Sequence, residues 1–283
     1  MDRFENDGLV FEVIDAAPSG ITATDGETAV LLHGYPQTPH AWSDVIPLLS
    51  AGGVRCLAPA LRGFTAGAMP EGRRAYRTER LVADALALLD TAGIDRAHIV
   101  GHDWGGGIAW LLATQHPDRV RTLTSIATPH PAAARWASLR SRQGLMSWYM
   151  LAMQIPALPE AVLGWGLKRN GLASLGLPEH HERAYLRWLR HPGALRSTLG
   201  VYRGLLTRPA GAYFADNPVT VPTTYLWGNR DAYLGRVAAE ATERYCQGPY
   251  RFVEIDADHW LPEKHPERVA EEILTTIRST DPA

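Results

Sequence analysis

Ile99-Val100-Gly101-His102-Asp103-Trp104-Gly105-Gly106 runs from branched apolar residues into a turn of small ones and out again toward Ile108. Such a run reads as strand, tight turn and helix, with the side chain at the apex pushed above the sheet. Small residues flank the apex because the turn is strained and packs closely on its neighbours. Asp103 holds the place where an esterase carries Ser. A dinucleotide-binding loop is excluded, since His102, Asp103 and Trp104 follow Gly101 and the G-x-G-x-x-G spacing is not met.

Working outward, short apolar runs alternate with helical patterns. Strands are predicted at 9–14, 29–32, 54–58, 97–100, 120–127, 223–227 and 252–255. Several are continuous branched-apolar runs, as expected of strands covered on both faces. Helices are predicted at 41–50, 78–92, 108–115, 236–245 and 266–278; in the second, Leu81, Ala85, Leu88 and Leu89 recur at helical spacing. The alternation implies an α/β class with a mostly parallel, doubly wound sheet. It fails between Pro129 and Asn217, a helical segment rich in Trp, Met, Arg and Leu and punctuated by Pro156, Pro159, Pro178 and Pro192. The chain is therefore divided into a core over 1–128, an inserted helical cap over 129–217 and a second core segment over 218–283. Basic positions such as Arg140 and Arg142 are read as solvated helix faces.

The 283 residues are 46% apolar and 20% charged, enough to bury a large core. Lys and Arg total 28 against 30 Asp and Glu, so no net field draws the chain to nucleic acid or anionic lipid. No apolar run approaches a membrane span, the first residues carry no signal-peptide pattern, and the last carry no lipidation signal. Cys56 and Cys246 are the only cysteines and read as inert packing thiols in a reducing cytoplasm, the expected location.

Aspartate at the apex selects the substrate. A serine attacking saturated carbon would become an ether, which water does not cleave under mild conditions. An aspartate becomes an ester, whose carbonyl carbon water can attack, and this points to epoxides or alkyl halides. Leu31-Leu32-His33-Gly34-Tyr35-Pro36 is a second strand end. The Tyr35 N–H with the Trp104 N–H would hold the oxyanion formed when water attacks the ester. His33 is read as a structural hydrogen-bond partner. Tyr225-Leu226-Trp227-Gly228-Asn229-Arg230-Asp231 and Ile255-Asp256-Ala257-Asp258-His259-Trp260 end two further strands. His259 would take a proton from water and Asp231 would orient it; Asp256 and Asp258 compete for the acid role but adjoin His259 in sequence.

HGYP, GHDWGG, the carboxylate that ends GNRD and DHW, in that order, resemble the epoxide hydrolases of the α/β-hydrolase superfamily over nearly the whole chain. The resemblance implies an α/β-hydrolase fold with a cap. It also implies a nucleophile–acid–histidine set of Asp103, Asp231 and His259. Ser147 to Pro156 is similar to the segment carrying the family's first ring-opening tyrosine, which falls on Tyr149. Val201-Tyr202-Arg203 resembles the segment of the second, which falls on Tyr202. Two phenols aimed at the ring oxygen would polarise it and supply a proton. Where the family usually has an acid after the APA-type strand end, this chain has Ala60-Leu61-Arg62-Gly63-Phe64.

Trp104, Tyr35, Met150, Met153 and Trp260 suggest an apolar, aromatic-lined pocket. The expected partners are a small hydrophobic epoxide and water, with no nucleic acid, no membrane and no cofactor; a homodimer is admissible. No metal is expected either, because Glu179-His180-His181-Glu182 lacks the His-Glu-x-x-His spacing. The rival readings are a haloalkane dehalogenase using the same nucleophile and a non-enzymatic ligand-binding protein. Against the first, Tyr35 stands where a halide-binding Asn is common, although Trp148 could substitute. Against the second, a receptor has no need of a water-activating pair.

Overall fold

The computed structural model describes residues 1–19, 27–207 and 217–279. Eight strands, β1 (Arg3–Asn6), β2 (Leu9–Ala16), β3 (Thr28–Leu32), β4 (Arg55–Pro59), β5 (Ala97–His102), β6 (Val120–Ile126), β7 (Thr223–Gly228) and β8 (Tyr250–Ile255), form one sheet ordered β1-β2-β4-β3-β5-β6-β7-β8. The pairs β1–β2 and β2–β4 are antiparallel, and all others are parallel. All seven predicted strands are present. The unpredicted one, β1, is a four-residue edge strand, RFEN, in which only Phe4 is buried, too short and polar for an alternation signal.

The unbroken apolar runs have a plain cause. Along β3, Val30 and Leu32 face one side and pack with Ile99, Leu88 and Ile108, while Ala29 and Leu31 face the other and pack with Val100, Leu49 and Ile273. Alternate side chains point to opposite faces, so a strand covered on both sides is apolar at every position. The covering helices are α1 (Val45–Ala51), α2 (Thr78–Thr91) and α3 (Trp104–Gln115) on the first half of the chain. In α2 the predicted stripe of Leu81, Ala85, Leu88 and Leu89 is buried. The helix predicted over 108–115 starts earlier, at Trp104, because three consecutive glycines masked its first turn.

Between β6 and β7 lies the helical cap: α4 (Pro131–Ser138), α5 (Gln143–Met146), α6 (Trp148–Ala152), α7 (Leu158–Asn170), α8 (Glu179–Leu189), α9 (Ala194–Thr198) and α10 (Gly200–Leu205). The stretch 208–216, assigned by sequence to the end of the cap, lies outside the described residues. After β7 come α11 (Arg236–Ala241), α12 (Leu261–Lys264) and α13 (Pro266–Arg278). Among the described residues no helix is long and apolar enough to cross a membrane. Both cysteines are free, and burial pushes each thiol up to about 12.

Arg62, the departure noted at the end of β4, does not reach the site. It is buried and forks onto Asp84 of α2 with Nε and Nη2 at 2.9 and 2.7 Å. The charge has its counterion within the core, where it ties the sheet to the helix, and Arg62 does not line the cavity.

Candidate active site

Asp103 closes β5 and opens α3 with φ 52° and ψ −117°. A non-glycine residue at positive φ is held there only when its surroundings over-determine it. Here they do: a Cβ on Gly105 would meet the Leu32 carbonyl, and one on Gly34 would meet the Asp103 side chain itself. The turn is thus wedged between two strand ends with room for backbone alone.

One carboxylate oxygen of Asp103, Oδ1, accepts the Tyr35 N–H at 2.8 Å. The other, Oδ2, lies 3.6 Å from His259 Nε2. His259 Nδ1 is 2.7 Å from Asp231 Oδ2, and Asp231 Oδ1 accepts the N–H groups of Tyr233 at 2.7 Å and Leu234 at 3.0 Å. Asp231 is therefore fixed by its own loop before it meets the imidazole. The competing carboxylates are engaged elsewhere: Asp256 pairs with Arg230 at 2.8 Å and Asp258 with Lys264 at 2.6 Å. Trp104 is the first residue of α3, so its N–H is among those a helix leaves without an intrahelical partner.

The charges set the proton affinities. Burial alone would lower His259, but the Asp231 charge, hydrogen bonds to Asp103 and Asp231, and the Asp103 charge together hold it well above its usual value. Burial would raise Asp103; the hydrogen bond and charge of His259 outweigh this and lower it. Asp103 and His259 thus rest as a carboxylate–imidazolium pair. Burial holds His33 down at about 4, and its ring bridges Gly34 O at 2.9 Å and the Leu61 N–H at 3.1 Å. Its position is that of a neutral strut between two strand ends.

A cavity of about 610 Å³ lies over this set, bordered on the sheet side by Tyr35, Asp103, His259 and Trp260 and on the cap side by Tyr149, Met153 and Tyr202. Tyr149 of α6 and Tyr202 of α10 stand edge to face with centroids 6.2 Å apart. Burial raises both phenols, and the Asp103 charge raises them further, so both keep their protons. Two expected pocket residues lie outside the lining. The Trp104 ring packs edge-on against Tyr202 at 4.8 Å, and Met150 packs on the apolar core.

Three features were not found by sequence reasoning. Tyr233, two residues past Asp231, lines the cavity and sets its ring 4.9 Å from His259; its place beside the acid was the available signal. Trp165 also borders the cavity, with no motif to mark it. Behind the site, the buried Glu263 accepts from Gln37 Nε2 and from the Tyr185 hydroxyl of α8, each at 2.7 Å. Gln37 Oε1 in turn lies 2.9 Å from His102 Nδ1, and His102 Nε2 lies 2.9 Å from the His259 carbonyl. Contacts spanning so much sequence leave no local pattern.

The Glu179-His180-His181-Glu182 quartet does not converge as a unit. His180 and His181 each place Nε2 2.9 Å from Asp44 Oδ2, while Glu182 accepts the Leu172 N–H and Glu179 pairs with Arg183. Ligand-type atoms of Asp44, His180 and His181 lie within 4.8 Å of one another, and those hydrogen bonds tie cap helix α8 to the core.

The sheet order, the strained turn and the helical cap define an α/β-hydrolase fold, and the model of that fold matches residues 29–152. An AB hydrolase superfamily protein of Bacillus subtilis, YfhM, is 33% identical over 264 residues, covering 90% of this chain and 91% of that one. Human epoxide hydrolase 4 is 30% identical over 293 residues, covering 98% of this chain and 78% of the human protein. The crystal structure of epoxide hydrolase A from Mycobacterium thermoresistibile superposes with a TM-score of 0.82 over 99% of this chain and 98% of that one; at 24% identity it speaks for the fold. Within the superfamily, the chain belongs to the epoxide hydrolase family.

Proposed function

We propose that this protein hydrolyses a hydrophobic epoxide to a vicinal diol through an ester on Asp103, and that the core (1–128 and 218–283) and the cap (129–217) each supply half of the chemistry. The observation that carries the reading is the facing pair of donors and nucleophile. Tyr149 and Tyr202 border the same cavity as an Asp103 carboxylate whose Oδ2 lies 3.6 Å from an imidazole.

In the first half-reaction an Asp103 oxygen bonds to a ring carbon as the carbon–oxygen bond of the epoxide breaks. The leaving oxygen takes a proton from Tyr149 or Tyr202. No base is needed, because Asp103 is already ionised. Alkylation cancels the Asp103 charge and with it part of what holds the His259 proton. The imidazolium therefore gives its proton to the tyrosinate left by ring opening and stands as a neutral base for the next step. In the second half-reaction His259, oriented by Asp231, takes a proton from water as the water oxygen attacks the ester carbonyl. The Tyr35 and Trp104 N–H groups receive the oxyanion. Collapse breaks the acyl carbon–oxygen bond, and the diol leaves with the proton held by His259.

Halide displacement by the same carboxylate is the rival. Trp148 borders the cavity and offers one indole N–H, but the Tyr35 N–H is already spent on Asp103, whereas two phenols suit a ring oxygen. An epoxide panel assayed for diol, run beside an alkyl halide panel assayed for halide, separates the two. A single turnover in heavy-oxygen water tests the ester: label is expected in the Asp103 carboxylate. Label appearing in the first-turnover diol would mean direct attack by water, and the ester mechanism would fall.

A further inference from the structure

The outer surface of the cap is apolar where a folded helix should be polar. Helix α7 buries Leu167 and packs Leu163 on the core, yet its other side exposes Leu158, Val162 and Trp165 at spacings of four and three, one helical face. Helix α6 does the same with Trp148 and Leu151 at a spacing of three. Both indoles are largely open to solvent, Trp148 at 67% and Trp165 at 62%. Trp148, Val162 and Trp165 also border the cavity over Asp103. Residues of both exposed faces thus border one cavity, and exposed apolar side chains gathered beside a site point to a docking surface.

Charge identifies what docks there. The whole chain is at −2, but residues 129–170 carry five Arg and Lys against one acid, Glu160. Both oxygens of that acid are taken by the Arg203 guanidinium at 2.6 and 2.9 Å. Arg140, Arg142, Lys168 and Arg169 are exposed, and the Arg169 guanidinium lies 5.3 Å over the Trp165 ring. Exposed Trp and Leu fringed by cations are the chemistry of a bilayer interface bearing anionic headgroups. A second copy of the chain fits less well, because a two-fold interface would set these cations against themselves.

We propose that the α6–α7 face of the cap seats on an anionic lipid surface, with the cavity mouth turned toward the bilayer. Local charge, not the net charge of the chain, governs the contact, and Lys168 and Arg169 of α7 are part of it. Resting on the proposed hydrolase activity, the natural substrates are then amphiphilic epoxides that reside in lipid and reach Asp103 without crossing water.

The test is co-sedimentation of the intact protein with phosphatidylcholine vesicles and with mixed phosphatidylcholine–phosphatidylglycerol vesicles at low and high salt. Binding is expected on mixed vesicles at low salt, falling at least about tenfold on neutral vesicles or at high salt. The pairs Lys168→Glu with Arg169→Glu, and Leu151→Asp with Leu158→Asp, should each lower binding at least about tenfold while thermal unfolding stays at the parent temperature. Equal binding to both vesicle types, or indifference to all four substitutions, overturns the proposal. So does a protein that ignores vesicles and scatters as a dimer that Leu158→Asp separates. Vesicle binding without diol from a lipid-borne epoxide leaves the docking intact and counts against the hydrolase reading. Diol from a soluble epoxide without vesicle binding does the reverse.

Discussion

Asp103 and Tyr149 border one cavity, but different means hold them there. Asp103 sits on a turn wedged between β3 and β5, where a single Cβ on Gly34 or Gly105 has no space. Tyr149 sits on a five-residue helix with no fully buried residue, whose neighbours Trp148 and Leu151 are exposed. The sheet side is over-determined and rigid; the cap side is held by ring contacts and a few long-range polar links such as Tyr185 to Glu263. On the proposed mechanism the sheet supplies the geometry of bond making, and the cap supplies donors that must let substrate in and diol out.

That contrast breaks most directly at the nucleophile. Asp103→Ala is expected to reduce diol formation by on the order of 10⁴ to 10⁶ with the fold intact, the scale of losing a catalytic nucleophile. Parent-level activity in a folded variant would remove the sheet from the chemistry. His259→Gln should stop after about one epoxide per site, because alkylation needs no base and ester hydrolysis does. Mass spectrometry should then find the adduct on the peptide containing Asp103, and steady turnover would contradict the assigned division of labour. On the cap side, Tyr149→Phe and Tyr202→Phe should each slow single-turnover ring opening, by up to about 10² to 10⁴ and less where the partner phenol compensates. If the double variant opens epoxides at the parent rate, the cap is a lid and nothing more.

Smaller effects sharpen the comparison. Leu31→Ala, in the sheet's core, should cost about 2 to 5 kcal/mol in urea unfolding, whereas Leu151→Ala on the cap should fall within about 0.5 kcal/mol of the parent. Comparable losses would mean that the cap is as tightly packed as the sheet. Acid should also loosen both segments through buried histidines. Burial holds His33 and His130 down at about 4, below the roughly 6.5 of an unfolded histidine. Between those values the unfolded chain binds more protons, so their stabilisation is present above pH ~6.5 and is lost as pH falls toward 4. His130 caps α4 by accepting the Ala132 N–H, so His130→Asn, which can accept the same bond but cannot titrate, should flatten part of the slope. An unchanged slope would assign the acid loss elsewhere.

How much could be read beforehand follows the same division. The strands, the turn at Asp103 and the placement of Asp231 and His259 at strand ends rest on local patterns, which is why 99–106 alone suggested the fold. Position in the sequence favours Asp231 as the acid over Asp256 and Asp258, which adjoin His259, and in the structure those two pair with Arg230 and Lys264 while Asp231 lies 2.7 Å from His259. Tyr149 and Tyr202 were reached through resemblance, since no periodicity singles out two tyrosines among ten. Met150 was expected in the pocket and packs on the core instead, because neighbouring positions on a short helix point about 100° apart. The Gln37–Glu263–Tyr185 link joins segments that only the folded chain brings together.

The backbone at Asp103 also bears on how this chain can change over generations. Its φ of 52° suits glycine better than any residue with a side chain, so glycine there would relieve the turn and, on the proposed mechanism, leave an inert protein. Selection for persistence alone would drift toward that loss. Gly34 and Gly105 face the opposite prospect, because any side chain there disrupts the strand ends. On the proposed mechanism, the position whose backbone would suit glycine is the one where catalysis needs a carboxylate, and aspartate remains there only as long as its chemistry is wanted.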